Sequence, residues 1–392
     1  MKLSATDLDM ESDAPLALMN RADAEELDVH PLDRLRIQQN GEATIVVVDL
    51  TENLVPEGSI GFSESLDISG EVDVALAEKP ASLDHIKEKM DGKEWTEDQI
   101  YEIVEDIDKN ALSDIEMGAY ASAVYMEGLS VWESIQLTRA MVDIGDQLQW
   151  TTDVVADKHS IGGVPGNRVT PIIIPIIAAK GITIPKTSSR AITSPAGTAD
   201  TMEAIADVSF SIDKITDIVE ETNGCLIWGG AVNLSPVDDK IIEAEYPLSL
   251  DPEGQVIASV LSKKRSVGSN HVIIDLPYGK GSKLGDIEAA RDLGRKFKIV
   301  GGKLGMNIRC TVTRGNQPIG RGIGPALEAR DCLKVLKGEG PDDLRIKSVE
   351  LSNALLDLCG EESDAADVID SGKALEKFRE ILEAQNGDPA IE

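Results

Sequence analysis

Beyond Trp150 the chain alternates short apolar segments with helical stretches. Thr152–Ala156, Gly224–Trp228, His271–Leu276 and Met306–Val312 read as strands, and Asp286–Lys298 and Gly324–Leu336 as helices. Few architectures accept that alternation, because strands joined through helices run parallel and need cover on both faces. The fold class expected is α/β, with a larger α/β domain over 151–234 and 268–392 built on a mostly parallel sheet. Residues 235–267 interrupt the alternation with a helical stretch introduced by Asp251-Pro252 and running through QVIASVLSKK.

The first 150 residues have a different texture. Residues 1–84 read as a β-rich N-terminal domain, in which ATIVVVDLT, SIGFSES and EVDVALAE are short strands between Gly and Pro turns. From Leu83 to about Ile144 acidic and apolar residues recur at three-to-four spacing, so 85–150 reads as helical. Thr96–Asp106 and Ser113–Glu127 are the clearest cases, with Thr96 and Asp98 marking a helix start.

Charge and cysteine usage narrow the partners. A net charge of -32 argues against nucleic acid, whose phosphates such a surface repels, and suits a protein kept solvated in a salty cytoplasm. The bias of 23 Lys against 15 Arg is not that of an extreme halophile. Cys225, Cys310, Cys332 and Cys359 have no CxxC spacing, and four dispersed histidines make no metal motif, so no metal site is expected. The N-terminus lacks a signal peptide's apolar core, and Val169–Ala179, broken by Pro171 and Pro175, is too short to span a bilayer. The expectation is a cytoplasmic protein.

Two loops within 153–203 carry the chemistry. The first, Lys158–Asn167, follows a strand and precedes a helix, and its Gly162, Gly163 and Gly166 allow close backbone approach to an anion. Lys158 and Ser160 flank those glycines, and Arg168 follows them. The spacing fits neither a Walker A loop nor a GxGxxG fingerprint. The second loop, Ser188–Thr198, offers five hydroxyls and Arg190, and Asp200 with Glu203 resembles a capping box. Each loop alone also reads as a glycine connector or as helix-start chemistry. Two such loops, each opening on a helix N-terminus, suggest a phosphate-bearing ligand.

Further on, Asp251 before Pro252 reads either as a helix N-cap or as a functional carboxylate. Ser259 and Lys263 fall on one face of the following helix, although Lys263, with Lys264 and Arg265 beside it, also reads as a solvated helix end. Lys283 in GKGSKLG either closes an anion pocket or decorates a Gly-rich turn.

Taken together these residues resemble the nucleoside phosphorylase family that includes the thymidine and pyrimidine-nucleoside phosphorylases. The shared elements are DKHSxGG at 157–163, the Ser-Arg…Gly-Thr-x-Asp loop at 189–200, SVLSKK at 259–264 and NQPIGR at 316–321. KHSIGGVPGNRVT and SSRAITSPAGTADTME match the archaeal branch, which acts on nucleoside 5′-monophosphates, and the likeness runs over essentially the whole chain. It implies a phosphoribosyltransferase-like fold. A helical domain of two chain segments, 85–150 and 235–267, would be hinged to the α/β domain with the active cleft between them. That branch continues into a further β-rich lobe, which is expected to be absent here, since the sequence stops at Glu392.

The resemblance also implies a reaction: phosphorolysis of a nucleotide such as AMP by inorganic phosphate, giving free base and ribose 1,5-bisphosphate. The family's nucleotide-binding positions fall on Gly163, Ser189, Arg190, Ala191, Ile192, Thr193, Ser194, Thr198, Ser259 and Lys283, and its proton donor on Asp251. Lys158 and Ser160 are the implied phosphate-binding pair. Two departures from the bacterial relatives favour nucleotide over nucleoside and purine over pyrimidine. Their pyrimidine-reading arginine falls near Ala244, and their RGLGHTGGT loop becomes RAITSPAGT, which adds the hydroxyls of Thr193 and Ser194. AMP and phosphate are the expected small-molecule partners, with no cofactor and a homo-oligomeric assembly. The alternatives are a thymidine or pyrimidine nucleoside phosphorylase, a phosphoribosyltransferase using a pyrophosphorylated sugar with Mg²⁺, and a non-catalytic nucleotide-binding fragment.

Overall fold

The computed structural model describes residues 1–10, 16–63, 66, 68–191 and 196–391. By internal packing the chain forms two units. One takes Met1–Glu127 with Lys240–Leu250, and the other Gly128–Asp239 with Asp251–Glu392.

In the first unit six strands close into a barrel. They are β1 (Lys2–Asp7), β2 (Leu16–Asn20), β3 (Arg34–Gln39), β4 (Glu42–Thr51), β5 (Ser59–Phe62) and β6 (Gly70–Leu76), in the order β1-β5-β2-β4-β3-β6 with β6 returning to β1. Alternate residues such as Leu35 and Ile37, Val46 and Val48, and Val72 and Val74 point inward and fill it. The alternation predicts β4, β5 and β6. Among the strands it does not predict, β3 carries arginines, and β1 contributes only Leu3 to the fully buried core. The helix α1 (Arg21–Leu27) lies between β2 and β3.

Three helices follow: α2 (Ser82–Met90), α3 (Glu97–Asp108) and α4 (Asp114–Glu127). Thr96 caps α3 as expected, although its capping-box partner is Gln99. The largely buried guanidinium of Arg34 ties β3 to this helical part, donating to the Ala111 carbonyl at 2.6 Å and to Glu116. Lys240 Nζ donates to the carbonyls of Ile107 (3.1 Å) and Asp108 (2.6 Å), so the helical part is built from two chain segments.

The second unit is α/β, and all five of its named strands are parallel. β7 (Ala156–Ser160), β10 (His271–Tyr278) and β11 (Asn307–Arg314) form a sheet in the order β11-β10-β7. β8 (Ile184–Ser188) pairs with β9 (Gly224–Trp228), and a single parallel bridge, Val155–Thr183, joins the two sheets.

Helices cover both faces. They are α5 (Val131–Ile144), α6 (Thr170–Ala178), α7 (Thr198–Glu203), α8 (Ile212–Thr222), α9 (Pro236–Glu245, whose later residues belong to the first unit), α10 (Glu253–Ser266) and α11 (Ile287–Lys303), then α12 (Pro325–Leu336), α13 (Asp342–Leu358), α14 (Ala365–Asp370) and α15 (Lys373–Ala384). β10 shows the layering. Its Ile273 packs with α6, α13 and α15, while Val272, Ile274 and Leu276 pack with α5, α10 and α11.

The strand expected at Thr152–Ala156 begins only at Ala156 and runs to Ser160, so Lys158 and Ser160 stand on a strand and not in the loop. The reason is the burial of charge. Asp157 and Lys158 are buried in the middle of the strand, where a hydropathy pattern reads them as surface. The apolar run read as Val169–Ala179 is α6, buried along its whole length with Pro171 near its start.

Candidate active site

Parallel strands deliver their following loops to one edge of the sheet, where open α/β folds bind ligands. Both loops singled out in the sequence emerge there, after β7 and after β8, and so do GKGSK after β10 and NQPIG after β11. Each expected site residue that the structure describes belongs to the second unit.

At the end of β7 a set of charges is sealed from solvent. Lys158, 2% exposed, has Thr170 Oγ1 at 3.3 Å from its Nζ. Burial lowers its ammonium to about 8, opposed by Asp275 and aided by Lys347 and Lys264. Ser160 Oγ donates to Asp275 Oδ2 at 2.8 Å and accepts from Asn167 Nδ2 at 2.8 Å. Asp275 also accepts from Thr313 Oγ1 at 2.6 Å and faces Lys347 Nζ at 2.9 Å. Burial opposes its ionisation, but Lys347 and Lys158 outweigh that and hold the carboxyl below its usual range.

One strand residue earlier, Asp157 meets Lys264 Nζ at 2.9 Å and Lys186 Nζ at 3.9 Å. Burial, followed by the charge of Lys264, drives Lys186 well below the lysine range. Between these groups His159 is held neutral by burial and by the charges of Lys264, Lys186, Lys158 and Lys263. The strand end therefore gathers more lysines than carboxylates in a buried setting, where water screens charge little.

Gly163 has φ of +83°, and a Cβ there would lie 2.7 Å from the Lys283 backbone nitrogen. Only a glycine lets the two loops touch. Lys283 Nζ in turn lies 2.5 Å from Asp251 Oδ1. The N-cap of α10 is Pro252, with no side-chain cap, so Asp251 does not cap that helix and its carboxylate faces the lysine. The N-cap alternative is thereby corrected: the extended Pro252 takes the cap position itself.

The second loop lies beyond β8. Ser188 Oγ donates to the Ile227 carbonyl, and the Ser189 carbonyl accepts from Ala199 N–H. Arg190 makes a two-armed pair with Glu203, reaches Asp200 at 3.4 Å and stacks over the Trp228 ring at 4.7 Å. Asp200 Oδ2 accepts from the N–H groups of Ala191 (2.7 Å) and Gly197 (2.8 Å), pulling the loop ends together ahead of Thr198, the first residue of α7. The expected capping box of Asp200 with Glu203 is corrected: the helix starts earlier, Gly197 is its N-cap and Asp200 the N3 residue that accepts from it, while Glu203 serves Arg190. Ile192, Thr193 and Ser194 lie outside the described residues.

On α10, Ser259 Oγ donates to Asp238 Oδ2 at 2.8 Å, and Lys263 Nζ meets the same oxygen at 2.7 Å and Asp239 at 3.1 Å. The two residues share one helix face, as their spacing predicts. The solvated-end alternative holds for Arg265 alone. Burial opposes the charge on Lys263, but Asp238 and Asp239 raise it, and Lys264 is 2% exposed.

Sequence reading missed Asp157, Lys186, Lys264, Asp275 and Lys347. Asp157 and Lys264 sit inside quoted motifs, which was a usable signal. Lys186, Asp275 and Lys347 carry none. Among the described residues no cluster of His, Cys, Asp and Glu is arranged to hold a metal ion, and no helix is long and apolar enough to cross a membrane.

Residues 83–145 match the helical bundle domain of the glycosyl transferase family, and residues 152–244 match its α/β domain. The fold is shared with anthranilate phosphoribosyltransferase from Thermus thermophilus. That likeness has a TM-score of 0.65 and covers 78% of this chain and 100% of the other, at 16% identity. The class is therefore a glycosyl transferase built from a helical bundle and an α/β domain. Among relatives in sequence, the AMP phosphorylase of Natronomonas pharaonis is 53% identical, with 100% of this chain and 80% of that one covered. The AMP phosphorylase of Thermococcus kodakarensis is 46% identical, again over 100% and 80%. AMP phosphorylase 1 of Archaeoglobus fulgidus is 43% identical over 95% and 76%. The chain belongs to the AMP phosphorylase family.

Proposed function

We propose that the chain catalyses phosphorolysis of AMP, and of other nucleoside 5′-monophosphates, to free base and ribose 1,5-bisphosphate. The observation that carries this reading is the lysine-rich, largely buried end of β7, where Lys158 and Ser160 stand beside the glycine loop that touches Lys283. In this reading a phosphate oxygen attacks C1′ while the bond from C1′ to the base breaks. Lys158, Ser160 and the Gly162–Gly163 backbone hold the nucleophile, which is catalysis by positioning. Lys283 and the Ser189–Thr198 loop, with Ile192, Thr193 and Ser194, hold the nucleotide's own phosphate, and Ser259 completes the nucleotide's contacts. Asp251 delivers a proton to the departing base.

Atoms and charge balance with phosphate as co-substrate, so the reaction as written calls for no cofactor. Four free cysteines, two of them fully buried, support a reducing, cytoplasmic setting. The homo-oligomer expected from the family remains part of the proposal.

The test is direct. The chain, AMP and phosphate are incubated with excess chelator, and adenine and ribose 1,5-bisphosphate are assayed. Phosphate-dependent release of adenine supports the reading. Release that requires Mg²⁺, turnover of thymidine in preference to AMP, or binding of AMP without turnover overturns it.

A further inference from the structure

We propose that Lys347 is a positioning residue for the attacking phosphate, acting on Lys158 and Ser160 through Asp275. The inference rests on the assignment of phosphate to that pair. Lys347 stands on α13, in a stretch that no motif marks, with its side chain 10% exposed and its Nζ 2.9 Å from Asp275 Oδ2.

The helix does not need this lysine to dock. Leu344, Leu351 and Leu355 of α13 are fully buried in the apolar core around α6. A buried ammonium on an already well-packed helix costs desolvation, so a role beyond docking accounts for it better.

Two consequences follow from its place. The first is geometric. Asp275 accepts from Ser160 Oγ and Asn167 Nδ2 on Oδ2, at 2.8 and 3.3 Å, and from Thr313 Oγ1 on Oδ1 at 2.6 Å. It therefore fixes the rotamer of Ser160, and Lys347 pairs with the same Oδ2 that Ser160 donates to.

The second is electrostatic. Lys158 and Asp275 act on one another as opposite charges in a buried setting. Taken alone this pair cancels and adds no net attraction for an incoming phosphate. Lys347 adds a second ammonium, so the set of three carries one net positive charge, in surroundings where water screens little. Ser160 already spends its proton on Asp275, which leaves charge, more than hydroxyl donation, to draw the phosphate in.

The experiment uses the full chain with Lys347→Gln, Lys347→Arg, Asp275→Asn, the Asp275→Asn/Lys347→Gln pair, and Ser160→Ala as calibrator. KM is measured for phosphate at saturating AMP and for AMP at saturating phosphate, with thermal melts alongside. Lys347→Gln is expected to raise the phosphate KM about tenfold and leave the AMP KM within about twofold, a coupling of ordinary size for neighbours in one network. Lys347→Arg is expected to restore most of the loss, and in the Asp275→Asn background Lys347→Gln is expected to add little. The paired variant removes both charges at once, so it keeps the test readable if a single variant fails to fold.

Equal rises in both KM values, or an undiminished Lys347 effect in the Asp275→Asn background, would overturn the inference. An unchanged phosphate KM in Ser160→Ala would instead overturn the phosphate assignment itself, and the inference with it.

Discussion

Lys283 Nζ sits 2.5 Å from Asp251 Oδ1, and that pair links the Gly-rich loop after β10 to the start of α10. That pair engages the Asp251 carboxylate. If Asp251 is the acid, Lys283 must first find another anion, and the 5′-phosphate of the nucleotide is one. Lys283→Gln should therefore raise the AMP KM at least tenfold while sparing the phosphate KM. Asp251→Asn should lower kcat about 100-fold or more, as loss of a general acid does. Steady-state rates on AMP check both, and an Asp251→Asn enzyme at full turnover removes the acid role.

Lys158 gives a pH dependence with two opposite signs. Its ammonium titrates at about 8 in the folded chain, against 10.5 as its ordinary value. Between those values the unfolded chain holds the proton that the folded chain has lost, so this group's contribution to stability rises with pH across the window. Phosphate affinity runs the other way, falling as the ammonium is lost above about 8. KM for phosphate against pH, with denaturant melts at the same pH values, should show the two trends diverging. Lys158→Met should flatten both.

Gly163→Ala tests whether the two glycine loops must touch. Its φ of +83° is strained for alanine, and the new Cβ would lie 2.7 Å from Lys283 N and 3.1 Å from Ser282 Cα, both backbone atoms. The conformation alone costs about 1–2 kcal/mol. Displacing the Lys283 backbone should also raise the AMP KM several-fold. Melting curves and AMP titration separate the two effects.

Arg168 serves architecture. Its guanidinium donates to Asp331 Oδ2 (2.8 Å), the Gly322 carbonyl (2.7 Å) and the Gly166 carbonyl (3.0 Å), and Asp331 also takes the N–H groups of Arg321 and Gly322. Arg168→Ala should cost about 3–5 kcal/mol, because it strands a buried carboxylate. Arg168→Lys should not rescue it, since one ammonium cannot reach three acceptors arranged for a planar fork. Urea unfolding reads the loss.

Sequence made the parallel α/β unit legible because β9 and β10 are nearly continuous apolar runs, while α11 and α12 repeat apolar residues at helical spacing. Thr96 was legible for a different reason: it caps α3 through contacts only a few residues away. What stayed hidden was buried charge. Asp157, Lys158 and Lys264 look like surface residues until the partner that neutralises each is known. Those partners lie on other strands and helices, at separations no local pattern carries. Asp251 misled for the opposite reason: Asp-Pro before a helix is strong local chemistry, and a distant lysine overrode it.

Lys158, Lys186 and Lys264 are at most 5% exposed, while the chain as a whole carries a charge of -32. An arriving anion therefore meets repulsion at long range and attraction only at the last contact. Dissolved ions weaken the first over roughly 8–10 Å and hardly touch the second. Raising ionic strength should accordingly speed encounter with both phosphate and nucleotide, whereas an exposed basic patch would lose its ligands in brine.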